Sequence, residues 1–455
     1  MLRLTEESRR LWIICSMGVL SGLVLLDETI LGVALPSIRS SLDLSAGTTH
    51  WIVNAYFLTL TCLAALGGKC VDLFGLKPVL VVSGAVFAAS SLFAGFAEDG
   101  AFLIAMRALQ GVGAVFIFAL SQAGANMAYP KEKRGLGIGI YAAMATIFLA
   151  VGPLVGGVVT HYVSWNWVFW LNIPIVTIVG VIAFLVWEEP RERTTERHID
   201  GVGVVFLLIG LTGLVFALMQ GATLGWGSAV ILLSAALGIA GLIGLDRYEH
   251  RQKQPLIDVK LFRVPEFLSA CIVFMACQYA LIVMAVFFPI FLQNEMGYTP
   301  AQAGVAALIA VIAFPFISAP VGRLADKLGS RPVVMTGLFF SGSATLLLGF
   351  LLPQKSYLLF AVPLLVWGIA MVCIAGPSRR IAVNAAPENE QGQLSGTIVT
   401  IRLLGSTIGV AISSAMITAG FSIPTVFLVC GSLLFAGLAL SFLALSEAKS
   451  AKDGS

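Results

Sequence analysis

Charge is scarce in this sequence. Asp, Glu, Lys and Arg make up 11% of its 455 residues, against about 25% in ordinary soluble domains. With 58% of residues apolar, too little polar surface exists to cover a water-soluble core. That excludes a soluble globule and makes lipid the solvent for most of the chain. Histidine is scarce too: His50 and His161 fall at predicted outer span ends and His198 and His250 in connectors, without metal-ligand spacing. No metal site and no membrane-embedded metalloenzyme are expected. No Walker phosphate loop is visible, so neither ATP coupling within this chain nor a cofactor is expected. The formal net charge of +3 is small and scattered, which argues against nucleic acid as a partner. The seven cysteines are odd in number and lack a Cys-x-x-Cys spacing, so they read as free packing thiols. The first apolar run contains acids and ends in no small-residue cleavage site, which makes it a retained span and not a signal peptide.

What the chain has is long apolar runs. A window of about 19 residues finds them near 11–33, 48–68, 78–97, 102–124, 135–160, 166–187, 200–220, 226–245, 266–293, 301–324, 331–351, 357–376, 393–419 and 421–445. These are fourteen predicted transmembrane helices, spans 1 to 14, of an all-α membrane protein. Lys and Arg remain preferentially on the cytoplasmic side. With an inside amino terminus, 23 of the 27 basic residues lie in cytoplasmic tails and loops, only Arg39 and Lys355 fall outside, and Arg107 and Arg402 fall within spans. The even span count then puts both termini in the cytoplasm.

Charged stretches at 188–200 and 246–263 bracket spans 7 and 8, which read as an insertion between two six-span halves. The expected units are residues 1–187, a linker of 188–263 that carries two helices, and 264–455. An internal repeat supports this division. Gly68, Asp72, Gly75, Lys77 and Pro78 match Gly322, Asp326, Gly329, Arg331 and Pro332 at a constant offset of 254 residues. Gly152 and Gly156 pair with Gly405 and Gly409 at 253. Two six-span halves repeated in one orientation are the footprint of a rocking transporter with its substrate path at their interface.

The motifs resemble those of the major facilitator superfamily, and specifically its fourteen-helix drug/proton antiporter branch. Leu26-Asp27-Glu28-Thr29-Ile30 through Ala34-Leu35-Pro36 is similar to that branch's first-helix signature, with Gly32 where Asn is usual. The stretch from Gly68 to Lys77 resembles the superfamily's gating motif, although Leu73 and Leu76 replace its two arginines; the copy Gly322-Arg323-Leu324-Ala325-Asp326-Lys327-Leu328-Gly329 is closer. Arg107-Ala108-Leu109-Gln110-Gly111-Val112-Gly113 resembles the fourth-helix motif linked in the family to proton coupling. Gly152-Pro153-Leu154-Val155-Gly156-Gly157 resembles the antiporter motif of the fifth helix. Trp165 to Pro174, and Pro255-Leu256-Ile257-Asp258 with Leu261-Phe262-Arg263, are similar to stretches typical of the branch.

Four formally charged residues lie within the predicted spans away from their ends: Asp27, Glu28, Arg107 and Arg402. A lone charge at the bilayer centre costs at least about 2.5 kcal/mol, so each needs a partner or water. At 1.5 Å per residue, Asp27 lies roughly 24 Å and Arg107 roughly 22 Å above the inner face, so the two can meet. Such a pair either serves proton coupling or only locks helices 1 and 4. Adjacent residues on a helix point about 100 degrees apart, so the two acids cannot share a face. Gly18, Ser21, Leu25, Glu28, Thr29 and Gly32 form a small and polar stripe that favours Glu28 for the cavity, while the resemblance favours Asp27. Both are carried.

Asp72 sits near the carboxyl end of span 2, where the helix dipole disfavours an anion. Lys131, Lys133 and Arg134 are candidate partners, with the resemblance pointing to Arg134 and to a gating latch. Gly75 suits a turn with positive φ and Pro78 the first turn of span 3. Gly152, Pro153, Gly156 and Gly157 allow close, bent packing. Arg402 has no acid within the last six spans to neutralise it, so it contacts substrate, a carboxylate of the first half, or backbone carbonyls. Gln278, Tyr279, Asn54 and Gln110 are polar residues that can line a cavity.

The expectation is a proton-coupled antiporter that exports amphipathic small organic molecules by alternating access. The alternative is a dedicated exporter of one metabolite, siderophore or lipid-like compound. Its partners are the small-molecule substrate, protons and the lipid bilayer of a cell inner membrane, and it is expected to work as a monomer.

Overall fold

The computed structural model describes residues 5–129, 134–189, 200–252, 261–262, 264–384 and 391–453. Fourteen of its helices are long and apolar enough to cross a membrane, and no strand occurs among the described residues. In chain order the spans are Glu6–Ser41, Ala46–Phe74, Leu76–Ala94, Gly100–Ala128, Leu136–Tyr162, Trp167–Val186, Gly201–Leu224, Ala229–Glu249, Pro265–Met296, Pro300–Leu328, Ser330–Gln354, Tyr357–Val383, Thr397–Thr418 and Ile423–Phe442. The fourteen expected runs are therefore the fourteen observed ones. Most are longer than expected, because polar residues extend the helices beyond the apolar stretch.

Local chemistry sets where the helices begin and stop. Ser45 accepts from the backbone N–H of Thr48 at 3.1 Å, and Asp99 accepts from that of Phe102 at 2.8 Å, each satisfying a donor that the first helical turn leaves free. Thr299 and Gln302 close a reciprocal capping box at the start of span 10. At the other end of the bundle, Gly75 and Gly329 adopt φ of +85° and +87° and turn spans 2 and 10 directly into spans 3 and 11. A side chain at either position would be strained, which is the physical content of the repeat seen in the sequence. Large apolar residues such as Leu185, Phe350, Leu358 and Val362 stand exposed on the outside of the bundle, where hydrocarbon is their solvent.

Span 1 is the axis of the fold. It is buried along most of its length and packs on spans 4, 5 and 6 and, across the molecule, on span 9. The first six and last six spans meet chiefly where span 5 lies on span 10 and span 2 on span 13. Spans 7 and 8 pack on each other, and span 7 seats Leu207, Leu211 and Val215 against Leu58 and Cys62 of span 2 and Ala411 of span 13.

The contact between spans 5 and 10 depends on the absence of side chains. A Cβ added to Gly157 would collide with the carbonyl of Pro300, and one added to Gly304 with the carbonyl of Pro153. The same motif packs inward on span 1: Gly152 lies against Thr29, and a Cβ on Gly156 would come within 2.5 Å of the Ile30 carbonyl oxygen. The Gly152, Pro153, Gly156 and Gly157 motif is thus the seat on which span 1 and span 10 both rest. Span 9 carries a π turn at Val283–Phe287, where its backbone meets Gly32 of span 1. Such turns are rare and frequently mark functional sites.

Candidate functional site

The two adjacent acids of span 1 have opposite surroundings. Asp27 points into the first six spans. Its Oδ2 accepts from Arg107 Nη1 of span 4 at 2.6 Å, and its Oδ1 accepts from Gln110 Nε2 at 3.2 Å and from Asn172 Nδ2 of span 6 at 3.1 Å. Asp27 and Arg107 are each 1% exposed. Arg107 also donates from Nε to the Ile52 carbonyl at 3.1 Å and from Nη1 to Gln110 Oε1 at 2.6 Å, and its guanidinium lies 4.2 Å from the centre of the Tyr56 ring. Gln110 completes the cluster by donating to Ser91 of span 3 at 2.9 Å. Charge, hydrogen bonds and cation–π contact together compensate the burial of this ion pair.

Glu28 points the other way, towards the last six spans. Gln278 Nε2 of span 9 donates to its Oε2 at 3.4 Å, and Arg402 Nη2 of span 13 donates to its Oε1 at 3.4 Å. Both contacts are long and therefore weak. The Arg402 side chain is a quarter exposed, its buried Nε has no hydrogen-bond partner among the described residues, and its guanidinium lies 5.4 Å from the Phe118 ring centre of span 4. Of the partners open to Arg402 in the sequence, the structure selects a carboxylate of the first six spans. Tyr141 of span 5, which donates to Ser21 at 2.8 Å, lies within electrostatic reach of Arg402 and of Arg379 on span 12.

Further bonds join the same two groups of spans. Thr61 of span 2 and Thr407 of span 13 share a hydrogen bond at 2.9 Å, and His50 Nδ1 lies 2.8 Å from Ser414 Oγ. The His50 ring also meets Phe287 of the π turn at 5.3 Å, and Gln293 donates to the Val33 carbonyl at 2.9 Å. His50, Gln293 and the Gly157 seat lie towards the end of the bundle opposite Gly75 and Gly329. Contacts between the two groups of spans therefore gather at that end.

The remaining expected residues are dispersed. The stripe on span 1 divides: Gly18, Ser21 and Thr29 face span 5, while Glu28 and Gly32 face span 9. Glu28 is at the interface, but most of the stripe serves helix packing. Tyr279 lays its ring on Gly409, where an added Cβ would meet it. Asn54 is fully buried and donates to Met219 Sδ of span 7 at 2.9 Å, and Gln110 belongs to the Asp27 cluster, so both face away from Glu28 and Arg402.

The two copies of the gating motif differ. Asp326 is bound by Arg380 of span 12, a partner the sequence reading did not name. Asp72 is exposed and has no ion pair among the described residues; Lys131 and Lys133 and the side chain of Arg134 lie outside them. Gly68 and Gly322 face open space, whereas Lys77 donates its backbone N–H to Glu189 at 2.7 Å and holds its ammonium 4.7 Å from the Phe184 ring centre. Arg331 lies 6.0 Å from the Phe442 ring centre. Pro255 to Asp258 and Arg263 also lie outside the described residues.

Asn172, Arg380, Ser414 and Thr407 were missed. Asn172 is a polar residue in an otherwise apolar span, and Arg380 shares the expected cytoplasmic side of Asp326, so both had a signal. Ser and Thr bond neighbouring carbonyls so often in membrane helices that Thr407 and Ser414 had none. Among the described residues no group of three His, Cys, Asp or Glu side chains is placed to hold a metal ion.

A family profile described as Major Facilitator Superfamily matches residues 17–410 and 267–455. The chain belongs to that superfamily and is a multi-pass membrane transporter. It is similar to the multidrug resistance protein Stp of Mycobacterium tuberculosis, at 29% identity over 408 residues, covering 88% of this chain and 74% of that protein. The lincomycin resistance protein LmrB of Listeria monocytogenes is 28% identical over 421 residues, 91% of this chain and 88% of the relative. The multidrug export protein EmrB of Haemophilus influenzae is 28% identical over 399 residues, 86% and 77%. In structure, the superfamily transporter resembles the xylose transporter XylE from E. coli in a partially occluded inward-open conformation, with a TM-score of 0.68 over 96% of this chain and 97% of that one. At 12% identity that likeness shows the fold alone.

Proposed function

We propose that this transporter exports amphipathic small organic molecules in exchange for protons, and that Glu28 carries the proton. The observation that carries the reading is the loose pair between Glu28 and Arg402, which links the first six spans to the last six at 3.4 Å beside a partly exposed guanidinium. A proton on Glu28 removes its charge, dissolves the link and frees Arg402. Asp27 is the fixed partner: both of its oxygens are occupied, and a proton there would leave Arg107 as an uncompensated buried charge.

Exchange follows when substrate favours the arrangement in which Glu28 holds Arg402 and the proton favours the one in which it does not. The two ligands then oppose each other through one two-state element. Residues 1–187 and 264–455 rock as halves around this point, with spans 7 and 8 at the side, the termini and the Gly75 and Gly329 turns in the cytoplasm, and the His50 end outside. Gly157 and Gly304 provide the closely packed seat, and Asp326 with Arg380 braces the last six spans on the cytoplasmic side. The names of the relatives, which concern multidrug resistance, multidrug export and lincomycin resistance, support an organic substrate.

The test is purified protein in liposomes with an imposed pH gradient, ethidium as a fluorescent amphipathic probe and an internal pH dye. Glu28→Gln is expected to abolish uphill ethidium movement and proton counterflow. Uphill movement with full proton counterflow in Glu28→Gln would overturn the assignment.

A further inference from the structure

We propose that a groove between spans 11 and 14 binds one anionic phospholipid of the cytoplasmic leaflet, with its phosphate on Arg331 and an acyl chain along Met335, Phe435, Leu438 and Phe442. The groove has a volume of about 700 Å³, and Arg331 is the charged residue in an otherwise apolar lining. It lies on the flank of the bundle, where Phe339, Leu440 and Phe442 are exposed to hydrocarbon.

The depth fits a lipid. Arg331 is the second residue of span 11, immediately after the Gly329 turn, and so stands at the end of that span. The cation therefore stands at headgroup level with the apolar cleft running into the membrane beside it. Its charge is available, because among the described residues it has no carboxylate partner, and its contact with Phe442 is at the 6.0 Å limit of a cation–π interaction. The surroundings are basic: Arg323 and Lys327 are exposed nearby, and the acid between them, Asp326, is held by Arg380.

The earlier copy of the motif shows what chemistry this position accepts. There Lys77 lies over Phe184, and a carboxylate oxygen of Glu189 receives the Lys77 backbone N–H at 2.7 Å. The ring takes the ammonium, and the anionic oxygen takes the backbone N–H of the same residue. In the later copy Arg331 and Phe442 repeat the cation and the ring, and a groove far larger than a carboxylate adjoins them. A lipid phosphate with its chain supplies both the anion and the apolar filling. The chain's own rival for that place is Glu447, which is spaced from Glu189 as Phe442 is from Phe184, by 258 residues.

The experiment is native mass spectrometry of the delipidated full-length protein in detergent, titrated with phosphatidylglycerol or phosphatidylcholine of identical chains. Wild type is expected to retain the anionic lipid about fivefold better. Arg331→Gln should erase that preference, Arg331→Lys should keep most of it, and Ala439→Trp should lower retention of both lipids by filling the groove. Equal retention of the two lipids by wild type, or an unchanged preference in Arg331→Gln, overturns the proposal. So does equal displacement by free glycerol phosphate, which would make the chain irrelevant, or a severalfold gain in phosphatidylglycerol binding by Glu447→Gln, which would assign the place to that carboxylate. None of these readouts depends on proton coupling.

Discussion

Asp27 and Glu28 are neighbours in sequence and chemically alike, yet one is locked and the other is poised. Three donors surround Asp27, the nearest at 2.6 Å, and all belong to the first six spans. Two donors reach Glu28, both at 3.4 Å and both from the last six. The difference comes from helix geometry: a rotation of about 100 degrees per residue sends one carboxylate into a bundle and the other to the seam between bundles. A carboxylate whose partners move with it is a structural element, whereas one whose partners lie on the opposing body can report and drive relative motion.

The comparison breaks most readily at Asp27. Arg107→Ala or Asp27→Ala leaves a buried charge without its partner and is expected to cost about 3–5 kcal/mol, seen as a sharply lower unfolding temperature in detergent. Combining Asp27→Asn with Arg107→Gln should cost less than the sum of the two. If the single changes leave stability untouched and abolish only proton movement, the roles assigned to the two acids are reversed.

Gly157→Val is expected next in size, at about 1–3 kcal/mol from forced separation of spans 5 and 10, with substrate exchange slowed beyond what the stability loss explains. Glu28→Gln sharpens the contrast: the long bonds it weakens predict a loss of about 1 kcal/mol or less together with loss of gradient-driven transport. Asp326→Asn removes an exposed ion pair and is expected to change stability by about 0–1 kcal/mol. Because both partners belong to the last six spans, spin-label distances between the two halves on the cytoplasmic side should stay close to those of wild type.

The smallest effect belongs to Glu188, just beyond span 6. Its hydrogen bond to Arg9, together with that residue's charge, holds the carboxyl below its usual range. A depressed carboxyl contributes stability above the ordinary carboxylate range and loses it as pH falls through the lowered value. Glu188→Gln should therefore differ slightly from wild type at neutral pH, and the difference should vanish in acid.

Much of the fold was legible because its causes are local or periodic. Apolar runs announce spans wherever lipid is the solvent, and Gly75 and Gly329 announce turns because their backbone angles exclude other residues. The meeting of Asp27 and Arg107 was legible from depth alone, since a helix rises by a constant step and an unpaired charge is costly between its ends. Arg380 and Asn172 stood out as residues, but their pairing with Asp326 and Asp27 was not legible, because it depends on which faces of distant helices are turned together.

The sequence alone determined that the chain crosses a membrane fourteen times, that its turns repeat, and that two acids and two arginines must be neutralised inside. Only the tertiary structure decided which acid meets which arginine. Helical periodicity states the angle between Asp27 and Glu28 but not the direction of either, and that direction was set by the close packing of spans 4, 5, 6 and 9 around span 1, a contact between residues far apart in the chain.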